Sequence, residues 1–130
     1  MKLKISTLLA GAILAASSVA AQDLPTFSTD GNDEWYYVTF CRSNLVITDN
    51  GAGQPATIQA AAINEGQIWK LVGSKENFQL INKAGRYASV SGSGDNARLV
   101  TGAAPDASGF QLISTGNSSF AGNWEIKANS

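Results

Sequence analysis

Gln67-Ile68-Trp69 opens a segment that returns later in the chain. Trp69-Lys70-Leu71-Val72 aligns with Phe110-Gln111-Leu112-Ile113, which lies 41 positions later, and Tyr37 aligns with Phe78 at the same spacing. Two separate anchors that share one period indicate a repeated supersecondary unit. We therefore expect the fold, and through it the function, to follow from this repeat.

The chain around this segment consists of short apolar or alternating runs between turn residues, a pattern typical of all-β domains. Glycine and asparagine between the runs tolerate positive φ and therefore suit tight reversals. After residue 21, no segment keeps a helical apolar period for three turns. The predicted strands are Trp35–Phe40, Leu45–Asp49, Thr57–Ala61, Ile68–Val72, Phe78–Asn82, Tyr87–Ser91, Arg98–Thr101, Phe110–Ser114 and Trp124–Lys127.

The period of 41 residues groups these strands into units of four. The first unit runs from Trp35 to Val72, and the second runs from Phe78 to Ile113. The segment Trp124–Lys127 matches Phe78–Ile81 and is predicted to be the first strand of a third unit. Because the sequence then ends, we expect a piece of a longer protein whose third unit is truncated. A smaller open barrel, or a dimer that closes the barrel, is the alternative.

This repeat, with four short strands and a Gln-x-Trp near the start of the fourth, resembles the ricin-type β-trefoil, a lectin-like fold. The similarity covers roughly residues 33 to 128, and it implies an incomplete trefoil, about nine strands of twelve, over residues 33–130. It also implies that the Gln67 side chain ties its strand to a neighbouring turn by hydrogen bonds. The aromatic core side chains that it implies are Trp35, Trp69, Phe110 and Trp124.

The resemblance further implies a sugar clasp made of an Asp in the second strand, an aromatic in the third and an Asn before the Gln. Here Thr48 stands at the Asp position with Asp49 one residue later, and Gly66 stands at the Asn position. A slip of one residue turns a strand side chain to the opposite face. The carbohydrate-binding candidates in the strand ends and loops are Asp49, Asn50, Asn64, Tyr87, Asp95, Asn96 and Asp106. For the Asp and Asn candidates, formation of the turn itself is the alternative role.

The aromatic run Trp35-Tyr36-Tyr37 offers a further stacking surface. Alternate strand residues point to opposite sides, so at most two of the three side chains face solvent. We expect Trp35 and Tyr37 to pack in the core. Tyr36 is therefore the candidate for stacking on a sugar.

Residues 1–21 have the layout of a secretory signal peptide. Two lysines precede an apolar run from Ile5 to Ala16 that is too short to span a bilayer, and Val19-Ala20-Ala21 supplies small residues for cleavage before Gln22. A buried N-terminal helix is the alternative. Residues 22–32 are interpreted as a polar leader into the domain. The expected location is extracellular or periplasmic.

Charge and residue types exclude several functions. Without the two lysines of the signal segment, the chain carries seven basic and ten acidic residues, a formal charge of −3. No basic cluster is present, so we expect no nucleic-acid partner. The chain has no histidine and its carboxylates are dispersed, so neither catalytic residues nor a metal site is predicted, and no cofactor is implied. The lone Cys41 is expected to be a small buried side chain rather than a nucleophile.

The function that the resemblance implies is glycan binding by a secreted, non-enzymatic module that targets an attached protein to polysaccharide. The alternative is a structural or protein-interaction trefoil whose sugar sites have decayed, because the clasp positions match poorly. The expected partners are a glycan and further domains beyond residue 130. No membrane association is expected once the signal segment has been removed.

Overall fold

The computed structural model describes residues 2–5, 24–40, 43–114 and 124–129. The chain is all-β, with 49% strand and almost no helix, which confirms the fold class expected from the alternating pattern. Helical structure in the described ranges is limited to two short 3₁₀ turns, Glu65–Gln67 and Gly94–Asn96. No helix in those ranges is long and apolar enough to cross a membrane. The predictions for Cys41 and for residues 6–21 lie outside the described residues.

Strands lie at all nine of the segments predicted from the sequence, and one more lies near the N-terminus. In chain order they are β1 Lys2–Ile5, β2 Tyr36–Tyr37, β3 Leu45–Thr48, β4 Thr57–Ala60, β5 Ile68–Ser74, β6 Asn77–Asn82, β7 Tyr87–Ser91, β8 Arg98–Gly102, β9 Phe110–Ser114 and β10 Trp124–Ala128. The regular part of β2 is shorter than expected. Beyond the end of β2, Thr39 forms an isolated antiparallel bridge with Val46 of β3.

Eight of the described strands form one curled antiparallel sheet. Its main path runs β1-β10-β9-β6-β5-β2, and β7 and β8 attach to it through β6. Strands β3 and β4 form a separate hairpin, with residue pairs from Leu45↔Ala60 to Thr48↔Thr57. Curling brings the inward faces of the strands around a single core.

The two halves of the chain repeat one scheme of strand pairing. The first and fourth strands pair at Tyr36↔Trp69 in the first half and at Phe78↔Phe110 in the second half. The two middle strands form a hairpin in each half, β3–β4 and β7–β8. The period of 41 residues in the sequence thus corresponds to a repeated set of strand pairs.

The core is built from alternate side chains of the sheet strands, as the period-two geometry of strands requires. The largest fully buried side chains are Trp69, Phe78, Leu71, Leu80, Ile126, Val38 and Asn82. Phe110 and Trp124 are also buried, the locations expected for them. The indole Nε1 of Trp69 donates a hydrogen bond to the Ile47 carbonyl at 3.2 Å. Trp69 therefore links the sheet to the separate β3–β4 hairpin.

The described part of the leader packs on the sheet. The Phe27 ring meets the Phe78 ring edge-on, with 5.8 Å between centroids. The Ser28 amide donates to the Leu71 carbonyl at 2.7 Å, and the Ser28 hydroxyl accepts from the Glu34 amide at 2.8 Å. Residues 27 and 28 thus contribute to the packed domain, and the boundary at residue 33 stays a prediction.

Strand β1 lies within the segment predicted to be a signal peptide. It pairs with β10 from Lys2↔Lys127 to Ile5↔Trp124, while β9 pairs with the other edge of β10. Cleavage before Gln22 would remove β1 and leave that edge of β10 without this neighbour. The signal peptide itself stays a prediction.

The expected orientation of Trp35, Tyr36 and Tyr37 is wrong. Tyr36 is only 7% exposed, and its hydroxyl accepts a hydrogen bond from the Thr26 amide at 2.9 Å. Trp35 and Tyr37 are only half-buried. The cause is the strand register, because Tyr36 pairs with buried Trp69 and directly opposed residues lie on the same face of a sheet. Tyr36 is therefore a core residue, and Trp35 is the partly exposed aromatic.

Candidate functional site

Asp49, the acid nearest to the clasp position, is bonded within the protein. Its side chain has 0% exposure. The Oδ2 atom accepts hydrogen bonds from Arg86 Nε and Asn82 Nδ2, each at 2.7 Å. The Oδ1 atom accepts from the Gly51 amide and the Thr101 hydroxyl, each at 2.8 Å. With two donors on each oxygen, the carboxylate joins the two halves of the fold and has no exposed surface for a sugar hydroxyl.

The protonation of Asp49 reflects this arrangement. Burial raises the pKa of the carboxyl, but hydrogen bonds from Arg86, Gly51, Thr101 and Asn82 more than offset it, so the pKa lies below the ordinary value of 3.8. A group whose pKa is lowered by folding stabilises the folded state above its unfolded pKa. That contribution is lost as the pH falls through the lower, folded pKa.

We expect Asp49→Asn to change the acid dependence of stability. At neutral pH the wild type should have the larger free energy of unfolding. The difference should narrow as the pH falls below about 3.8, because Asp49 takes up a proton in the unfolded chain first and in the folded protein only at lower pH. Urea unfolding followed by tryptophan fluorescence at several pH values measures the difference. A difference that stays constant down to about pH 2 would contradict the assigned role.

Gln67 has the bonding that the Gln-x-Trp resemblance implies. It is 3% exposed, and its Nε2 atom donates to the Thr48 hydroxyl at 3.1 Å and to the Ala60 carbonyl at 3.0 Å. Its Oε1 atom accepts from the Ala62 amide at 2.8 Å. Gln67 therefore holds the β3–β4 hairpin and the turn that follows it against the start of β5.

Gly66, at the Asn position of the clasp that the resemblance implies, has tightly packed neighbours. A Cβ atom there would lie 3.1 Å from the Asp49 carbonyl oxygen and 3.3 Å from Asn64 Oδ1. Both neighbours also bond this residue, since the Gly66 amide donates to Asn64 Oδ1 at 2.8 Å and the Asp49 amide donates to the Gly66 carbonyl at 2.9 Å. Glycine at this position is thus coupled to close backbone packing.

Three further candidates make bonds inside their own loops. Asn50 Nδ2 donates within its loop to the carbonyl of residue 55 at 3.0 Å. Asn64 caps the 3₁₀ turn before β5, and Asp106 Oδ1 accepts from the Ser108 amide at 2.8 Å in the turn before β9. Short polar side chains that bond amides two residues on are typical turn formers. The turn-forming alternative therefore describes Asn64 and Asp106, whereas Asn50 joins its loop to Thr57 and Gln59 of β4.

The remaining candidates do not converge on these residues. Tyr87 is half-buried at the start of β7, whereas Asp95 and Asn96 are exposed in the 3₁₀ turn between β7 and β8. The Asp95 carbonyl accepts a hydrogen bond from Arg98 Nη1 at 3.4 Å. The eight candidates thus lie apart. Tyr36 is in the core, the Asp49 carboxylate is buried between the two halves, and the others lie in separate loops or at the start of β7. Sugar binding by any of them stays a prediction.

A cleft that the sequence analysis missed lies on the outer side of the sheet. This outer cleft has a volume of about 370 Å³ and is lined by Ser28, Thr29, Asp30, Gly31, Asp33, Lys70, Val72 and Ile81. Its rim is a tight turn in which Thr29 and Asn32 exchange backbone hydrogen bonds at 2.9 and 3.2 Å. Gly31 has a φ of 77°, which such turns require and which glycine adopts without strain. The turn places Asp30 at the cleft.

Trp35 lies beside the outer cleft, next to the Lys70 ammonium group that lines it. The Lys70 Nζ atom lies 3.1 Å from Asp33 Oδ1 and 5.3 Å from the centroid of the Trp35 ring. Lys83 Nζ lies 5.6 Å from the same ring. Two ammonium groups within about 6 Å of an indole are in range for cation–π attraction. The outer cleft thus combines carboxylates, an ammonium group and a nearby aromatic ring.

The Asp30-Gly31 pair was the sequence signal for this cleft. Asp-Gly is a strong marker of a tight hairpin turn. The turn was not predicted because residues 22–32 were interpreted as a leader.

Within the described ranges no group of three or more metal-ligating side chains occurs. No family model, curated protein or solved structure matches the chain.

Proposed function

We propose that the protein is a secreted, non-enzymatic carbohydrate-binding module and that the glycan binds in the outer cleft beside Trp35. One observation carries the proposal, namely a cavity of about 370 Å³ that contains two carboxylates, an ammonium group and two hydroxyl side chains. A half-buried indole ring lies next to it. Specific small-ligand sites combine a concave surface with a few convergent polar groups in this way.

The chemistry of the outer cleft suits a sugar ring. Asp33 keeps 45% of its side chain exposed and Asp30 is exposed, so both carboxylates are accessible to accept hydrogen bonds from sugar hydroxyls. Lys70 supplies donors to ring or hydroxyl oxygens. Trp35 supplies an apolar face for the C–H groups of the sugar, which prefer an aromatic surface to water and would replace the Lys83 ammonium group over the ring. Acceptors, a donor and a stacking face are therefore available together.

The proposal includes the finer fold, an incomplete ricin-type β-trefoil. Its support is the repeated pairing of first and fourth strands, the hairpin in each half, and the bonding of Gln67 and Trp69. A lectin-like fold gives only an analogy for function. The proposed sugar site consequently rests on the outer cleft and not on the clasp positions of the family.

The proposed location is outside the cytoplasm. Its support is the layout of residues 1–21, with lysines, an apolar run and small residues before Gln22. An attached protein beyond residue 130, which the module would bring to polysaccharide, is part of the same proposal. Nucleic acid is not among the proposed partners, because the charge after cleavage is −3.

A structural or protein-interaction role is the second candidate function. The observation that favours it is the use of Asp49, Asn64 and Gly66 for internal bonds at or beside the positions of the sugar clasp that the resemblance implies. In that case the purified protein would bind no glycan. The two functions therefore differ in a single binding assay.

We expect Trp35→Ala to weaken glycan binding about tenfold, which corresponds to about 1.4 kcal/mol, because a stacking face is lost. Asp30→Asn should weaken it by a similar factor, since an amide replaces one of the acceptor oxygens by a donor. The purified protein is first screened for retention on immobilised polysaccharides and on a glycan array. The variants are then compared on the glycan that retains the wild type.

The matched controls are Tyr87→Ala and Asp95→Asn. They remove an aromatic ring and a carboxylate at two other carbohydrate-binding candidates, both outside the outer cleft, so binding should stay within about twofold of the wild type. Loss of binding in the controls, with no loss in Trp35→Ala and Asp30→Asn, would move the site to the second hairpin. No retention on any glycan would exclude carbohydrate binding and favour the second candidate function.

A further inference from the structure

Strand β4 is an open edge. All four of its residues, Thr57–Ala60, are exposed, and within the described ranges it pairs only with β3. The Ile47 amide donates to the Val38 carbonyl at 3.0 Å, on the side of β3 away from β4. Ile47 and Ile58 are therefore a non-hydrogen-bonded pair of the β3–β4 hairpin. In antiparallel ladders, residues of such a pair direct their backbone groups away from each other. The N–H and C=O of Ile58 therefore point to the open edge.

The matching edge of the second hairpin is occupied within the same chain. The Gly53 amide donates to the Thr101 carbonyl and the Ala56 amide donates to the Leu99 carbonyl, each at 2.8 Å. Thr101 of β8 corresponds to Ile58 of β4, because each is paired with a buried residue of the preceding strand. These buried residues are Ala88 and Ile47, respectively. The architecture thus adds a backbone segment to the edge of β8, and β4 offers the equivalent edge.

An apolar groove adjoins the open edge. This hairpin groove has a volume of about 410 Å³ and is lined by Phe40, Ile47, Ala56, Thr57, Ile58, Ala97, Arg98 and Leu99. Phe40 and Ile58 are each 37% exposed, and both line this groove, so their apolar surfaces belong to one patch. Covering the groove would remove this apolar surface from water.

The open edge lacks charge, proline and bulges as protection against pairing with another strand. Natural edges are blunted by lysine, by proline or by bulges. The segment from Ala56 to Asn64 contains no charged residue and no proline, and β4 pairs with β3 in continuous register without a bulge. An uncharged strand can lie opposite a copy of itself without repulsion between like charges. These features favour a second copy of this chain as the partner of the edge.

We propose that two copies of the protein pair antiparallel along β4. A two-fold axis then relates the hairpins and gives a four-stranded β3-β4-β4-β3 ribbon. The Ile58 side chains of both copies lie at the centre of this interface and cover the hairpin grooves. The interface uses the hairpin side of the fold and is independent of sugar binding in the outer cleft.

Light scattering coupled to size exclusion, over a range of protein concentrations, tests the proposal on the purified full chain. The wild type should change from the monomer mass to twice that mass as concentration rises. Ile58→Lys should raise the dissociation constant by about 100-fold, because two ammonium groups then face each other across the axis. The matched control is Ala103→Lys, which adds the same charge at an exposed position in the loop after β8 and should dimerise like the wild type.

Amide hydrogen exchange of the wild type gives a readout that does not depend on folding of the variant. The Ile58 amide should become protected as concentration rises, whereas amides of the exposed 3₁₀ turn Gly94–Asn96 should not change. A wild type that stays monomeric with an unprotected Ile58 amide would overturn the proposal. A dimer that Ile58→Lys leaves intact would overturn it as well.

Discussion

Asp49→Ala is expected to lower the free energy of unfolding by about 3 kcal/mol, or more if the variant cannot rearrange. The substitution removes the acceptor of Arg86, Asn82, Gly51 and Thr101 at once. Buried donors that lose their acceptor keep the cost of desolvation without its compensation. Since these donors come from both halves of the chain, the loss should weaken the contact between the halves.

Urea unfolding measures the effect, with Asn50→Ala as the matched control. Asn50 is adjacent in sequence and exposed, and in the described chain its side chain bonds only nearby residues, Pro55 in its loop and Thr57 and Gln59 in β4. Its truncation should cost about 1 kcal/mol or less. Equal losses for the two variants would show that Asp49 is an ordinary loop residue. A stable Asp49→Ala protein with altered glycan binding would assign Asp49 to a sugar site.

Trp69→Ala is expected to destabilise the protein by about 3–5 kcal/mol. The side chain has no exposed surface and lies where the β2–β5 pairing meets the β3–β4 hairpin. Truncation leaves a cavity and also removes the donor to the Ile47 carbonyl. A domain of this size has a total stability of only about 5–15 kcal/mol, so the variant should be close to unfolding at ordinary temperature.

Thermal unfolding by circular dichroism compares this variant with Trp69→Phe and Trp35→Ala. Trp69→Phe keeps most of the ring and should retain the fold at a lower melting temperature. Trp35→Ala makes the same truncation at a half-buried position and should cost about 1 kcal/mol. If Trp35→Ala proved the more damaging of the two alanine variants, the assignment of inward and outward aromatics would be wrong.

The strands could be predicted because their signals are local. Glycine and asparagine mark the turns, and alternation in segments such as Phe78–Asn82 marks a half-buried strand. The period between Trp69 and Phe110 also predicted which strands correspond in the two halves. The orientation of Tyr36 could not be predicted, because β2 is only two residues long and its facing depends on the register with β5.

The site was harder to predict because it depends on contacts between distant residues. Asp49 ends a predicted strand in the sequence, and its role becomes visible only when Arg86 and Thr101 are brought to it. The outer cleft likewise joins a turn at Asp30 to Lys70 on β5, 40 positions later. Neither relation has a local sequence pattern. The Asp-Gly pair in the leader was the one local signal available.

An amide NMR titration of the ¹⁵N-labelled protein, with oligosaccharide fragments of the glycan that retains it, locates the sugar site directly. We expect shift changes that cluster at Ser28–Trp35 and at Lys70, around the outer cleft. Shift changes centred on Asp49, Asn64 and Gly66 would contradict it, because those residues would then form a sugar clasp instead of holding the fold together.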